Sequence, residues 1–175
     1  NYALAMWHAL MVAGQTFDIT PYGTETMHVL RAEKGFVIVG QDTDGSVTPV
    51  DLGMNWMLSK NKDFLGKRSL SRPDSLRENR KQLVGLLAED STTVIPEGAQ
   101  LVNDLSAPEP VPMCGHVSSS YMSACLGHPI ALALVEGGRS RRNEIVHAWS
   151  SGNEPIPARI VSPVFYDPKN ERQND

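Results

Sequence analysis

Three sets of side chains in this 175-residue chain have types and spacings that could do chemistry. Arg31 and Glu33 lie two apart in the run Leu30-Arg31-Ala32-Glu33-Lys34-Gly35. A guanidinium grips an anionic group through two parallel hydrogen bonds, and a carboxylate accepts paired bonds from a donor-rich ring. The alternative is that both residues tie their helix to a neighbouring turn. Trp56 and Tyr121 offer rigid flat faces for a planar ligand. For Trp56, set in an apolar run, the alternative is core packing. Tyr121 sits in the polar, turn-like segment Ser118-Ser119-Ser120-Tyr121-Met122-Ser123. Arg139, Arg141 and Arg142 cluster beside Gly137-Gly138, on what reads as a hairpin. Such a cluster can hold carboxylates or an acidic patch of a partner, with solvated loop charge as the alternative.

Other chemistries find no support. No GxGxxG opens a helix after a strand, so a dinucleotide fold is not expected. There is no GxSxG and no Ser-His-Asp or Cys-His arrangement by motif. The serines at 118 to 120 follow His116, but proximity along the chain is not a triad. None of His8, His28, His116, His128 and His147 has a second histidine or a carboxylate at metal-ligand spacing. They read as structural, and neither a metal site nor a catalytic residue is assigned. Cys114 and Cys125 lack a CxxC and read as reduced thiols of a cytoplasmic protein. The net charge of −4 provides no basic stripe for nucleic acid. Apolar runs such as Ile130 to Val135 are too short to span a bilayer, so no membrane segment is expected.

The elements that must position these groups can be read from periodicity and turn residues. Tyr2 to Gln15 reads as an amphipathic helix with Leu4, Trp7, His8 and Met11 along one side and Gly14 near its end. Thr20 and Pro21 suit the cap and first position of a second helix that ends at Gly35. Phe36 to Val39 reads as a strand, Asp42-Thr43-Asp44-Gly45 as a turn, Val50 to Leu58 as a strand, and Phe64 to Leu70 as a helical turn. The charge-dense stretch from Ser71 to Lys81 separates two domains, 1–78 and 79–175. In the second, residues 82–87, 100–102, 115–120, 130–135, 144–149 and 156–161 read as short strands between Pro- and Gly-rich turns. That pattern predicts a small antiparallel β-barrel. The fold class is α+β: a helical and short-strand segment, then the barrel. The chain opens directly in a helix-forming run, which reads as a carboxyl-terminal portion of a longer chain rather than a signal peptide. Apolar patches left by the missing part should promote self-association, and the tail from Asn170 should fray.

Three spacings taken together resemble the folate-binding aminomethyltransferase family, the T-protein of glycine cleavage and its relatives. They are Leu30 to Gly35; Gly40-Gln41-Asp42 with Pro49 after it; and Lys60 followed by Asp63-Phe64-Leu65-Gly66-Lys67. Within that family, HVLRAEKGFVIVGQDTDG and GHVSSSYMSACLGHPIALALVEGG are most similar to alpha subunits of heterotetrameric sarcosine oxidases. The resemblance covers essentially the whole chain. It implies that 1–78 is the C-terminal part of an aminomethyltransferase-like folate-binding domain and that 79–175 is the family's C-terminal barrel.

It also implies tetrahydrofolate as the ligand of this region. Arg31, Glu33, Trp56, Tyr121, Arg139, Arg141 and Arg142 become candidate contacts to its aminopyrimidine, flat rings and anionic tail. The family's catalytic carboxylate would lie upstream of residue 1, leaving this portion inactive by itself. The whole enzyme would oxidise sarcosine to glycine with hydrogen peroxide formation and pass the one-carbon unit to tetrahydrofolate. FAD, FMN and NAD would be held outside this portion, and the partners would be the rest of alpha and the beta, gamma and delta subunits. Met27-His28 departs from the Arg-acidic pair of the aminomethyltransferase pattern. Competing readings are a dimethylglycine dehydrogenase, an aminomethyltransferase, or a non-catalytic folate-binding or subunit-docking module.

Overall fold

The computed structural model describes residues 2–173. Two helices, α1 (Ala3–Gly14) and α2 (Thr24–Glu33), precede a stretch of turns and short 3-10 helices at Asn55–Met57 and Lys67–Ser71. Six strands follow: β1 (Lys81–Ala88), β2 (Gln100–Val102), β3 (Met113–Ser123), β4 (His128–Glu136), β5 (Ile145–Trp149) and β6 (Ile156–Val161). They close into a barrel in the order β1-β4-β3-β2-β5-β6, every pairing antiparallel, with β1 against β6 completing the ring. The α+β class and all six barrel strands are as expected from the sequence.

The barrel is filled by alternate residues, as the two-residue period of a strand requires. Val84 and Leu86 of β1, Ala131, Ala133 and Val135 of β4, Val146 and Ala148 of β5, and Ala158 and Ile160 of β6 form one buried cluster. Six strands enclose less room than the eight that fill comfortably with large side chains, which accounts for the four alanines. The opposite face of β1 and β4 carries a second cluster, Leu83, Ile130, Leu132 and Leu134, covered by Ala32 of α2 and flanked by Val37, Val47, Leu52 and Phe165. Strand β4 is therefore buried on both faces, with its seven central residues all inside. That is why Pro129 to Val135 is continuously apolar rather than alternating. Burying each of its leucines stabilises the fold by about 1.5–3 kcal/mol.

Helix α2 ends where its sequence dictates. Gly35 takes φ +68°, Phe36 N–H donates to Arg31 C=O at 2.9 Å, and Gly35 N–H donates to Ala32 C=O at 3.0 Å. This is a Schellman cap, in which only glycine adopts the left-handed conformation without a Cβ clash. The freed carbonyl of Glu33 accepts from both Phe165 N–H and Tyr166 N–H at 2.9 Å. The segment after β6 thus straps the end of α2 to the barrel. Lys34 Nζ extends the strap, donating to Asp167 C=O at 2.7 Å and to Asn170 Oδ1 at 2.8 Å. The tail expected to fray is held at Asn170, and residues 174–175 of that expectation lie outside the described residues.

Five further local expectations are corrected. Helix α1 forms but is apolar all round except for His8, and none of its residues is buried. It has no single core-facing stripe: Ile19 packs against Gly14 at its end, and only Met11 and Gly14 are even partly buried. Helix α2 starts at Thr24 after an extended Gly23 with no side-chain cap, and Thr20 Oγ1 instead donates to Asp18 C=O at 3.3 Å. Glycine disfavours continuation of the helix back to Pro21. Phe36 to Val39 is a loop in which only Val39 bridges to Thr43. Arg31 Nη1 takes the Phe36 carbonyl and Asp42 takes the Ile38 N–H, so side chains satisfy the groups a strand would have paired. Val50 to Leu58 is turned rather than extended: Met54 N–H donates to Pro49 C=O at 2.8 Å and Gly53 sits at φ +77°. Finally, Gly137-Gly138 does not close a hairpin. Strand β4 lies between β1 and β3, whereas β5 lies between β2 and β6, so this turn and the 3-10 helix Gly138–Ser140 carry the chain between non-neighbouring strands.

Candidate functional site

The last turn of α2 and the loop after it meet the outer side of β3 through buried polar groups. Asp42 is completely buried and is the centre of the contact. One of its oxygens accepts from Ser118 Oγ at 2.5 Å and Ser119 Oγ at 2.7 Å. The other accepts from Ile38 N–H at 2.8 Å and from Arg31 Nη1. Neighbouring strand residues normally point to opposite faces, so two consecutive serines on one carboxylate need an explanation. The register of β3 against β4 jumps between Val117 and Ser119, leaving Ser118 as the extra residue of a bulge. A bulge re-aims side chains, and here it turns both hydroxyls onto Asp42.

Arg31 is fixed from several sides. Besides Asp42 and the Phe36 carbonyl, its Nη2 donates to Ser119 Oγ at 2.7 Å and Tyr121 Oη at 3.3 Å, with the guanidinium carbon 5.7 Å from the Tyr121 ring centre. Its Nε is buried without a partner among the described residues. Gln41 joins the cluster, donating to Ser119 Oγ at 3.1 Å and the Ser118 carbonyl at 3.3 Å. Glu33, only 3% exposed, accepts from Ser123 Oγ at 2.6 Å through one carboxylate oxygen. Its other oxygen takes no hydrogen bond from the described residues.

A second buried carboxylate, Asp51, lies in the loop whose backbone meets β1, its C=O accepting from Leu83 N–H at 2.9 Å. Arg80 Nε and Nη2 donate to it at 2.9 and 2.7 Å, and Thr48 adds its N–H and hydroxyl at 2.8 Å each. Arg80 also reaches Asp74 at 2.7 Å. Burial pushes the Asp51 carboxyl upward, but the Arg80 and Thr48 bonds together outweigh it and hold the group below the usual carboxylate range. Beside this node a polar cleft of about 390 Å³ is lined by residues including Arg77, Lys81, His116 and Glu136. Burial first, and the charge of Lys81 second, lower the His116 pKa.

The structure thus brings Arg31 and Tyr121 into contact, with Glu33 close by on the same helix end, and leaves the other candidates apart from them. Trp56 is 81% exposed on the 3-10 turn Asn55–Met57 and does not pack in the core. Arg139 is anchored elsewhere, its Nη2 donating to Val50 C=O at 2.7 Å and its N–H to Gln82 Oε1 at 3.0 Å. Arg141 is held by Glu144 at 2.7 Å and Asn103 at 2.8 Å, while Arg142 is exposed. Asp42, Ser118 and Ser119 were not singled out from the sequence as site residues. The signal for Asp42 was present in the Gly40-Gln41-Asp42 spacing. Nothing local marks Ser118 as a bulge.

As a cradle for a folate, these groups fit in part. The arginines at 31, 139 and 141 already have protein partners. Glu33 retains one open acceptor oxygen, and Trp56, Tyr121 and Arg142 retain surface. Among the described residues Arg31 and Tyr121 meet beside Glu33 at the end of α2, and no contact joins Trp56, Arg139, Arg141 or Arg142 to them.

The model for the GCVT N-terminal domain matches residues 1–62, and that for the glycine cleavage T-protein C-terminal barrel domain matches residues 81–167. Sarcosine oxidase subunit alpha of Corynebacterium sp. (strain P-1) is 51% identical over 175 residues, which is 99% of this chain and 18% of the relative. The corresponding subunit of Rhizobium meliloti (strain 1021) is 41% identical over 174 residues, again covering 18% of its length. An aminomethyltransferase of Thermotoga neapolitana is 29% identical over 171 residues, covering 94% of this chain and 42% of the relative. The crystal structure of glycine cleavage system aminomethyltransferase T from Bartonella henselae superposes with a TM-score of 0.64 at 22% identity, over 80% of this chain and 38% of that one, showing a shared fold.

Proposed function

The chain belongs to the glycine cleavage T-protein family, and we propose that it is the carboxyl-terminal part of a sarcosine oxidase alpha subunit that completes its folate-handling module. The observation that carries this reading is the 51% identity to a sarcosine oxidase alpha subunit over 99% of the chain, against 29% to an aminomethyltransferase. The chain spans only 18% of that relative, so the whole protein would supply the remaining chemistry. It would oxidise sarcosine to glycine, form hydrogen peroxide and hand the one-carbon unit to tetrahydrofolate. FAD, FMN and NAD would be bound outside this portion, in a cytoplasmic heterotetramer with beta, gamma and delta subunits. This portion by itself would not turn over.

In this reading the candidate residues divide by what already holds them. Arg31 positions: its donors fasten α2 and the loop at Asp42 to β3, and thereby set the angle at which α2 meets the ligand. Glu33 contributes its open oxygen as an acceptor for the donor-rich aminopyrimidine. Trp56 and Tyr121 supply flat apolar area, and Arg142 a cation with no side-chain partner among the described residues, for the glutamate tail. Arg139 and Arg141 hold the loops that carry these groups. The test is calorimetric titration of the complete enzyme and of this chain with folinate, repeated with Trp56→Ala, Glu33→Gln and Arg142→Ala. Saturable binding by the complete enzyme, weakened about tenfold or more by Trp56→Ala or Glu33→Gln, is expected, tenfold corresponding to about 1.4 kcal/mol. A complete enzyme that binds no folinate would overturn the reading.

A further inference from the structure

The surface formed by residues 54–76 takes no part in the Arg31–Asp42 contact, and its character differs from the rest of the chain. Leu58 and Phe64 line two adjoining hollows, one of about 340 Å³ completed by Met54 and Met57, the other of about 540 Å³ completed by Leu70 and Leu76. The ridges beside them are also apolar: Leu65 is fully exposed, and Met57 and Leu76 are each more than half exposed. Contiguous apolar surface of this kind marks an interaction site.

The rim specifies what sort of surface fits. Lys60, Lys62, Lys67, Arg68 and Arg72 stand in this stretch against two acids, Asp63 and Asp74, in a chain whose net charge is −4. Both acids are already engaged, Asp63 by Lys67 at 3.1 Å and Asp74 by Arg77 at 2.6 Å and Arg80 at 2.7 Å. The side chains of Lys60, Lys62, Arg68 and Arg72 make no ion pair or hydrogen bond with the described residues. A neutral or basic surface pressed into the hollows would strip water from these cations without replacing it, whereas an acidic one supplies partners. A small anion would meet the charge but leave the hollows and Leu65 uncovered.

We propose that this basic-rimmed groove docks an acidic segment, carrying large apolar side chains, from another polypeptide of the assembly. The identity of that polypeptide as a beta, gamma or delta subunit rests on the sarcosine oxidase reading above. The apolar residues fill the two hollows and set the lifetime of the contact, and the cations steer the encounter. Steering of this kind raises association rates ten- to a thousand-fold at low ionic strength.

The experiment uses the full-length alpha chain co-expressed with its partner subunits. A photoreactive benzoylphenylalanine is placed at Leu65, the assembled complex is irradiated, and the cross-linked peptide is sequenced. In parallel, Lys60→Glu, Lys62→Glu, Arg68→Glu and Arg72→Glu are combined, and association with each purified partner subunit is timed at low salt and at about 0.5 M salt, where charge is screened within a few ångström. The expected result is a cross-link to an Asp- or Glu-rich peptide of another subunit. With it, charge reversal should slow association at least about tenfold at low salt, the difference shrinking at high salt, while circular dichroism shows the variant folded. A cross-link to the alpha chain itself or to a second alpha copy, no cross-link, or unchanged association by the folded variant overturns the proposal. Folinate titration of the same complex separates the two readings. Binding without the expected cross-link removes only the docking site, and absence of binding removes the folate reading.

Discussion

Asp42 shows how much one side chain can organise. It is fully buried, and four donors from α2, the following loop and β3 converge on its two oxygens. Replacing it with alanine leaves the Arg31 guanidinium buried without its counter-charge. Breaking such a pair costs about 3–5 kcal/mol, and urea unfolding of Asp42→Ala should show a loss of that size. A loss below about 1 kcal/mol, the range of exposed pairs, would mean that water replaces the carboxylate. Asp51 predicts an acid limb. Its folded-state pKa lies below the unfolded value of about 3.9, so it stabilises the fold above that pH and the contribution disappears as pH falls through the folded value. Denaturant midpoints measured from about pH 5 to pH 2 should therefore fall less steeply for Asp51→Asn than for the parent, from a lower starting stability. Parallel curves would assign the acid sensitivity to other carboxylates. Arg31 and Glu33 were legible as chemistry-bearing residues, yet Ser119, the partner of Arg31, lies 88 residues away. No spacing rule reaches that far.

At the scale of elements, strands were easier to read than their connections. Short strand-like runs and their bounding turns marked all six barrel strands. The apolar runs at 36–39 and 50–58 looked like strands by the same criteria and were not, because side chains or tight turns had claimed their backbone groups. Close approach between strands also leaves a testable mark. A Cβ added at Gly115 of β3 would lie 2.3 Å from the Leu134 carbonyl of β4 and 3.0 Å from Val135 Cα. Both are backbone atoms that a rotamer change cannot move aside. Gly115→Ala should lower stability by about 1–3 kcal/mol through overpacking, read as a reduced midpoint in guanidinium. An unchanged midpoint would show that β3 and β4 can separate locally without opening the ring.

For the molecule as a whole, the contrast is between a well-buried barrel and an uncovered amino-terminal side. Tyr2, Leu4, Met6, Trp7, Leu10 and Val12 of the α1 region are all largely exposed. A helix that is apolar all round is one built to be buried. In isolation the chain should self-associate through this face, with the weight-average mass from light scattering rising above 19.2 kDa as concentration increases. Leu4→Lys with Leu10→Lys should hold the mass at the monomer value. A parent chain that stays monomeric at high concentration would show that the face is not adhesive.

The sequence by itself determined the fold class, the six strands of the barrel, the glycine end of α2 and the family, because periodicity, turn residues and motif spacing are properties of near neighbours. Tertiary structure alone decided that Ser118 and Ser119 share Asp42, that Arg31 reaches Tyr121, that Arg139 and Arg141 serve loops elsewhere, and that Trp56 faces outward. Those outcomes depend on barrel closure, on the one-residue bulge in β3 and on the strap from Pro163 to Asn170 over α2. A buried polar group takes whichever partner closure brings within 3 Å or so, and distance along the chain does not encode that choice.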